Sequence, residues 1–214
     1  MLKVLLTGAT GQLGKTLIKT KPNEIKLITP NRNEVDLSKP EKSLIFLDKL
    51  NPDWIINAAA YTNVDGSESE IDLAFCINGH APAVFANFLN NSGGKLLQIS
   101  TDFVFNGKKN TSYSVLDETD PINVYGQSKL LGEKETLKFK NNKVIRTSWL
   151  YSPHGKNFLK TMLKLHDLKN KSGEPLRVIS DQIGCPTSCQ SLAEACWGIL
   201  LSKKPLKNKI FHWS

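Results

Sequence analysis

Tyr125 and Lys129 stand four residues apart in Tyr125-Gly126-Gln127-Ser128-Lys129, so a helix over them would carry both on one face. A phenol with an ordinary pKa of about 10 is a poor acid–base group near neutrality, and a neighbouring ammonium favours its ionised form. Lys129 is therefore expected to lower Tyr125 into a range useful for proton transfer. The same spacing arises by chance on amphipathic helices, so its weight comes from its company. One neighbour in the argument is Ser100-Thr101-Asp102, which ends an apolar run and so sits where open α/β sheets place ligand contacts. Thr101 could hydrogen-bond a carbonyl oxygen there; the plainer alternative is that the three residues only shape a turn.

The third group is Thr7-Gly8-Ala9-Thr10-Gly11-Gln12-Leu13-Gly14, with three glycines at intervals of three between an apolar run and an amphipathic one. Gly8 would allow a tight exit from a strand, Gly11 would let a pyrophosphate approach the backbone, and Gly14 would let a helix pack closely on a sheet. Free amides at the helix start would hold the phosphates. Placed at a first strand-to-helix turn, this pattern points to a dinucleotide. An acidic residue after the second strand would bind the adenosine ribose of NAD, but Thr29-Pro30-Asn31-Arg32 offers none. Arg32 could instead pair with a 2′-phosphate, which predicts use of NADPH at least as readily as NADH.

Positioning these groups requires a layered frame. Lys3–Thr7 reads as a strand and 11–19 as a helix, followed by a strand at Ile25–Thr29, a helix at 41–50 and a strand at 53–59. A long helical stretch at 69–91, a strand at 95–100, a polar segment at 101–123, a helix at 124–140 and a strand at 143–148 come next. Beyond lie a helix at 157–169, a short strand at Leu176–Ile179, a helix at 191–202 and a last strand at 209–213. The strands are apolar runs rather than alternating ones, as in sheets buried on both faces. The expected fold class is α/β, a doubly wound parallel sheet of Rossmann type with helices on both faces.

The 214 residues fit one domain, and 40% apolar with 22% charged residues is a globular composition. No apolar run approaches the roughly 18 residues of a membrane span, and no signal peptide is read. Cys76, Cys185, Cys189 and Cys196 are too irregular for a disulfide framework, which points to a reducing, cytoplasmic compartment. Cys185 and Cys189 lack a second ligand pair, and His80, His154, His166 and His212 are scattered, so buried structural thiols are expected and no metal site. The net charge of +8 comes from lysines spread along the chain, which argues for a solvated surface rather than nucleic-acid binding. Part of that charge could attract an anionic substrate such as a nucleotide diphosphate.

Together the glycine turn, the Thr and the Tyr-Lys pair resemble the extended short-chain dehydrogenase/reductase family. Within it, the segments Asn57-Ala58-Ala59-Ala60-Tyr61-Thr62-Asn63-Val64-Asp65, Ser100-Thr101-Asp102-Phe103-Val104-Phe105, Asn123-Val124-Tyr125-Gly126, Arg146-Thr147-Ser148-Trp149 and Asp181-Gln182-Ile183-Gly184-Cys185-Pro186-Thr187 are similar to those of the dTDP-4-dehydrorhamnose reductases. The resemblance covers nearly the whole chain. It implies a cofactor lined by Gly11, Gln12, Leu13, Asp36, Leu37, Ala60, Tyr61 and Thr62, with Tyr125 and Lys129 reaching it; the turn geometry and the tip of the second strand add Gly8, Gly14 and Arg32. Thr101, Tyr125 and Lys129 would be catalytic, and Thr101, Asp102 and Trp149 would contact a dTDP-sugar. The implied reaction moves hydride from NADPH or NADH to the C4 ketone of dTDP-4-dehydro-L-rhamnose, giving dTDP-L-rhamnose. Residues 1–214 would be one dinucleotide-binding domain, with a partial substrate-binding region at 150–190 near the carboxyl ends of the strands.

The chain departs from that pattern twice. Phe103 stands where the family usually has Tyr, removing a hydroxyl. Relatives also continue past the strand at Ile210–Trp213 into a helical lobe that closes over the sugar nucleotide, so an open substrate site and an uncovered apolar surface are expected. Three readings stay open: a nucleotide-sugar reductase, a non-catalytic dinucleotide-binding regulator like the regulatory subunit of methionine adenosyltransferase, and a truncated inactive reductase. Relatives often form dimers, which makes a homodimer the assembly to test.

Overall fold

Val4, Leu5 and Leu6 are all completely buried, which a strand achieves only when both of its faces are covered. A computed structural model describes all residues, Met1–Ser214. Six parallel strands form one sheet: β1 (Leu2–Thr7), β2 (Ile25–Ile28), β3 (Trp54–Asn57), β4 (Lys95–Thr101), β5 (Lys143–Thr147) and β8 (Ile210–His212), in the order β2-β1-β3-β4-β5-β8. A separate two-stranded parallel piece joins β6 (Leu150–Tyr151) to β7 (Thr187–Ser188). The order reverses between β1 and β3, so the crevice for a ligand lies at their carboxyl ends.

Alternate residues of the strands feed two cores. On one face Val4, Leu6, Ile56, Leu97 and Ile145 meet α1 (Gln12–Lys19) and α8 (Cys189–Leu200) through Leu13, Leu17, Leu192 and Trp197. On the other, Leu5, Ile55 and Leu96 meet α2 (Leu44–Leu50) and α5 (Ala81–Ser92) through Leu47, Phe85 and Leu89. Burying each such side chain contributes about 1.5–3 kcal/mol. Two short helices, α3 (Val64–Ser67) and α4 (Ile71–Phe75), precede α5. Then α6 (Val124–Leu137) follows the long segment after β4, and α7 (Phe158–Ser172) lies between β6 and β7.

The stretch expected as one helix over 69–91 is interrupted. Pro82 has no amide to offer the carbonyl four residues back, and the chain widens into a π-helical turn at Cys76–His80 before α5 begins. The strand expected at Leu176–Ile179 does not form. Val178 and Ile179 are exposed and no strand runs beside them, so an apolar run with no edge to pair with stays irregular. Thiol burial is also mixed: Cys189 and Cys196 are buried as expected, Cys76 is half-buried, and Cys185 is exposed. No helix is long and apolar enough to cross a membrane.

Candidate active site

The glycine turn sits directly on the next strand's exit. Gly8 has φ +72, and a Cβ on it would lie 2.6–2.7 Å from the backbone of Ala58 and Ala59. A Cβ on Gly14 would lie 2.1 Å from the Gly8 carbonyl oxygen, so these two positions admit only glycine. Gly11 caps α1 without any side-chain hydrogen bond, leaving the first amides of the helix unclaimed. Leu13 is a core residue and can face a ligand only through its backbone. Gln12 points away from the turn: its amide bonds the Leu150 carbonyl, and its Oε1 accepts from Ser152 and from Asn157, at 2.9 Å for the latter. It therefore ties the turn to the segment leading into α7.

A polar ladder holds the strand tips in line. Thr7 Oγ1 donates to Asn57 at 2.5 Å, Asn57 Nδ2 donates to Gln98 at 2.7 Å, and Gln98 Nε2 donates to the Ile99 carbonyl at 2.9 Å. Ala60, Tyr61 and Thr62 leave β3 beside this ladder. Their course is fixed by Asn78, which accepts from the Tyr61 amide (2.9 Å) and donates to the Tyr61 carbonyl and to Ser128 (both 3.0 Å). The Tyr61 hydroxyl donates to Glu70, whose carboxylate holds the phenol's pKa up.

Beyond β2, Arg32, Asn33, Glu34, Asp36, Lys39, Lys42 and Ser43 surround a cleft of about 280 Å³. Asp36 accepts from the Ser38 amide, which chiefly holds its carboxyl below the usual range against the cost of burial, with the Ser38 hydroxyl and Arg32, 3.6 Å away, helping. Leu37 is buried in the core beneath. Ser43 Oγ is fully buried and has no partner. An open cleft carrying Arg32, Lys39 and Lys42, together with the uncapped amides at the start of α1, fits a diphosphate ligand bearing a further phosphate.

Thr101, Asp102, Tyr125 and Lys129 converge where β4 ends. Asn123 caps α6 by accepting from the Gly126 amide at 2.8 Å, which sets the helix start beside the residues after β4. A Cβ on Gly126 would lie 2.2 Å from the Phe103 carbonyl oxygen, so only glycine lets the helix come this near. The Tyr125 ring packs edge-on to Phe103, with ring centroids 5.4 Å apart. Thr101 Oγ1 donates to Asp102 at 3.0 Å and accepts from the Phe103 amide. Lys129 Nζ donates to the Ile99 carbonyl at 2.6 Å, the same oxygen on which the polar ladder ends.

The electrostatics differ from the sequence expectation. Burial pushes the Tyr125 phenol up to about 12; a hydrogen bond with Thr101 lowers it and the Asp102 charge raises it, while Lys129 makes no contribution. Lys129 is itself moved down to about 8 by burial, with Glu133 pulling the other way. Asp102 is raised by burial against its hydrogen bonds. The protein alone thus keeps Tyr125 as a neutral donor in a dry site. The dryness that sets these values is a tertiary property, which a four-residue spacing does not reveal.

Trp149 lies further out, after β5, with φ +44, a left-handed conformation that a bulky side chain adopts at a cost of about 1–3 kcal/mol. Its ring packs under Gly184 and toward Phe158, 6.2 Å away. Sequence reasoning missed Asn78, for which no signal existed. It also missed Glu133 and Arg146, a buried pair joined by bonds of 2.9, 3.2 and 2.7 Å. Arg146 in the apolar run 143–148 was a signal, because a buried guanidinium demands a partner.

The family described as the RmlD substrate binding domain matches residues 2–214. The chain is 39% identical over 194 residues to a dTDP-4-dehydrorhamnose reductase of Burkholderia thailandensis, covering 90% of this chain and 64% of that one. It thus spans just under two thirds of that relative's length. It superposes on the crystal structure of a dTDP-4-dehydrorhamnose reductase from Clostridium acetobutylicum with a TM-score of 0.91 and 34% identity, over 100% of this chain and 74% of the other. A reductase of the same name from Bacillus anthracis, solved in complex with NADP, matches with a TM-score of 0.89 and 35% identity, over 100% and 75% of the two chains.

Proposed function

The chain belongs to the RmlD substrate binding domain family, and from that premise we propose that it reduces the C4 ketone of dTDP-4-dehydro-L-rhamnose to dTDP-L-rhamnose with NADPH or NADH. The observation that carries this reading is the convergence of Thr101, Tyr125 and the buried Lys129 at the end of β4, on the same carboxyl edge of the parallel sheet as the uncapped glycine turn after β1. The nicotinamide, when bound, supplies the hydride. Negative charge then grows on the ketone oxygen; Tyr125 donates a hydrogen bond where it develops, and Thr101 does so once its hydroxyl turns from Asp102. Tyr125, held neutral by burial, gives its proton to that oxygen. Lys129 is placed by the Ile99 carbonyl one turn along α6, where its ammonium would hold the nicotinamide ribose and so fix the hydride donor beside the ketone.

Gly8, Gly11 and Gly14 with the amides of Gln12 and Leu13 bind the pyrophosphate, Ala60–Thr62 flank the cofactor, and Asp36 and Leu37 adjoin the adenine. Arg32, Lys39 and Lys42 offer the 2′-phosphate its counter-charges, which supports NADPH at least as readily as NADH. A titration with clearly tighter NADH binding would overturn that part. Asp102 and Trp149 contact the sugar nucleotide, with residues 150–190 as the substrate side of a single dinucleotide-binding domain. Four unpaired thiols support a cytoplasmic location.

The test is oxidation of NADPH and NADH by this chain with dTDP-4-dehydro-L-rhamnose. Tyr125→Phe should lower turnover by about 10²–10⁴-fold with cofactor binding largely intact. Equal turnover in that variant refutes the mechanism. Absence of turnover in the native chain, with cofactor bound, supports a dinucleotide-binding regulator or a truncated inactive reductase instead.

A further inference from the structure

Tyr125, Lys129 and Glu133 follow one another at four-residue intervals along α6, so all three lie on one face of the helix. Their exposures are 9%, 4% and 1%, an ionisable spine sunk into the protein. The upper two have been assigned roles. Glu133 makes no contact with the reacting end, and its carboxylate is gripped bidentately by Arg146, which β5 presents from the opposite side. Arg146 is held in turn, lying 5.0 Å from the Phe105 ring centroid and 3.4 Å from His212 Nε2, while His212 Nδ1 meets the Tyr113 carbonyl at 3.2 Å. Glu133 therefore has a fixed position and a fixed charge, four residues below a lysine whose only hydrogen-bond partner is a neutral carbonyl.

A buried ammonium with one neutral partner loses its proton unless a counter-charge stands near. We propose that Glu133, clamped by Arg146, is a positioning residue of the site: it supplies the counter-charge that keeps Lys129 protonated, and Arg146 sets how much of that charge Lys129 receives. Several other titratable groups lie on the elements packed around α6. They are Asp65 on α3, Asp72 on α4, Cys76 and His80 on the π-helical turn, Lys95 on β4, Asp102 after it, and Lys143 and Arg146 on β5; α5 carries none. Only Glu133 opposes the fall that burial imposes on Lys129. The arrangement separates two duties that one carboxylate in direct contact would confound. A salt-bridged lysine would be pinned to its partner, whereas Lys129 keeps its Nζ on the Ile99 carbonyl and feels Glu133 through a dry interior.

This inference rests on the reading of Lys129 as the cation of the site, but its test needs no turnover. The chain carrying [13Cε]lysine is titrated by NMR from about pH 6 to about pH 11, with the Lys129 signal assigned by its loss in Lys129→Met. The native midpoint is expected near pH 8. In Glu133→Gln it should fall by about one unit or more, and Glu133→Asp, which keeps the charge, should recover most of the shift. Should Glu133→Gln fail to fold around an unpaired Arg146, Glu133→Gln/Arg146→Met removes both charges, and its Lys129 midpoint should still fall below the native one. A folded variant lacking the carboxylate whose Lys129 titrates at the native midpoint overturns the proposal. Where the chain turns over, the same displacement should appear in the pH profile of kcat/KM. An inactive native chain would overturn the reductase reading while leaving the titration to decide this one.

Discussion

Two helices of nearly equal length, α6 with 14 residues and α7 with 15, invert the ordinary relation between hydropathy and burial. Both begin at an asparagine whose side chain accepts an amide three residues on. Yet α6 buries Tyr125, Ser128, Lys129, Glu133 and Thr136, while α7 buries nothing and leaves Phe158, Leu159, Leu163 and Leu168 more than half exposed. Polar burial is tolerated on α6 because each group finds a partner: Lys129 the Ile99 carbonyl, Glu133 the guanidinium of Arg146, Ser128 the Asn78 amide, and Thr136 the Gly132 carbonyl. A helix buried with its polar atoms satisfied is a place for chemistry, and a helix exposing apolar side chains offers contact area and little else. The same substitution should therefore have very different consequences on the two.

The largest effect is expected from Arg146→Ala. It leaves Glu133 buried and unpaired, so unfolding in urea should show a loss of about 3–5 kcal/mol. A loss below about 1 kcal/mol would mean that the ion pair does not stabilise the buried helix, and the contrast with α7 would weaken.

Lys129→Met comes next, with the opposite sign. The folded pKa of Lys129 is near 8, below the 10.5 of the free group, so between those values the folded chain holds fewer protons than the unfolded one and stability rises with pH. Below pH 8 the full cost of burying the cation is present. Removing it should stabilise the fold at neutral pH by on the order of 3 kcal/mol and flatten the rise between pH 8 and 10.5. A variant with unaltered stability and slope would show that Lys129 is not dry.

The caps give a finer comparison. Asn123→Ala should cost about 1 kcal/mol, the ordinary value of a lost N-cap. Asn157 does more than cap, since its amide also bonds Gln12 Oε1 and the Ser152 carbonyl, both at 2.9 Å. Asn157→Ala should therefore also speed amide exchange across 150–157, where Asn123→Ala changes nothing. Equal exchange in both variants would show that Gln12 does not fasten this segment.

Much of α6 was legible beforehand, because a four-residue spacing survives as geometry whatever the helix packs on. The spacing placed Tyr125 and Lys129 on one face, and one more step along it leads to Glu133, which went unread because charge on a helix usually means solvent. The depth of burial was not legible. It comes from β4, β5 and the π-helical turn closing around the helix, and it sends Tyr125 up rather than down. Strands with both faces covered announced themselves as unbroken apolar runs, whereas Leu176–Ile179 carried the same signature without a neighbouring edge. A run of four residues cannot tell those cases apart. The glycine turn was the most readable feature, since the contacts a Cβ would make at Gly8 and Gly14 leave no other residue type.

The smallest effect, and the one that tests the other half of the comparison, is expected from Leu163→Ser on α7. Leu163 is 58% exposed, so little of its surface is removed from water on folding. Serine is a weaker helix former by a few tenths of a kcal/mol, and the sum should stay within about 0.5 kcal/mol in urea unfolding of the dilute chain. A loss above about 2 kcal/mol that grows with protein concentration would mean that Leu163 is covered by a second copy in solution. In that case α7 would owe its apolar face to packing, as α6 owes its polar one to chemistry, and the two helices would differ only in what buries them.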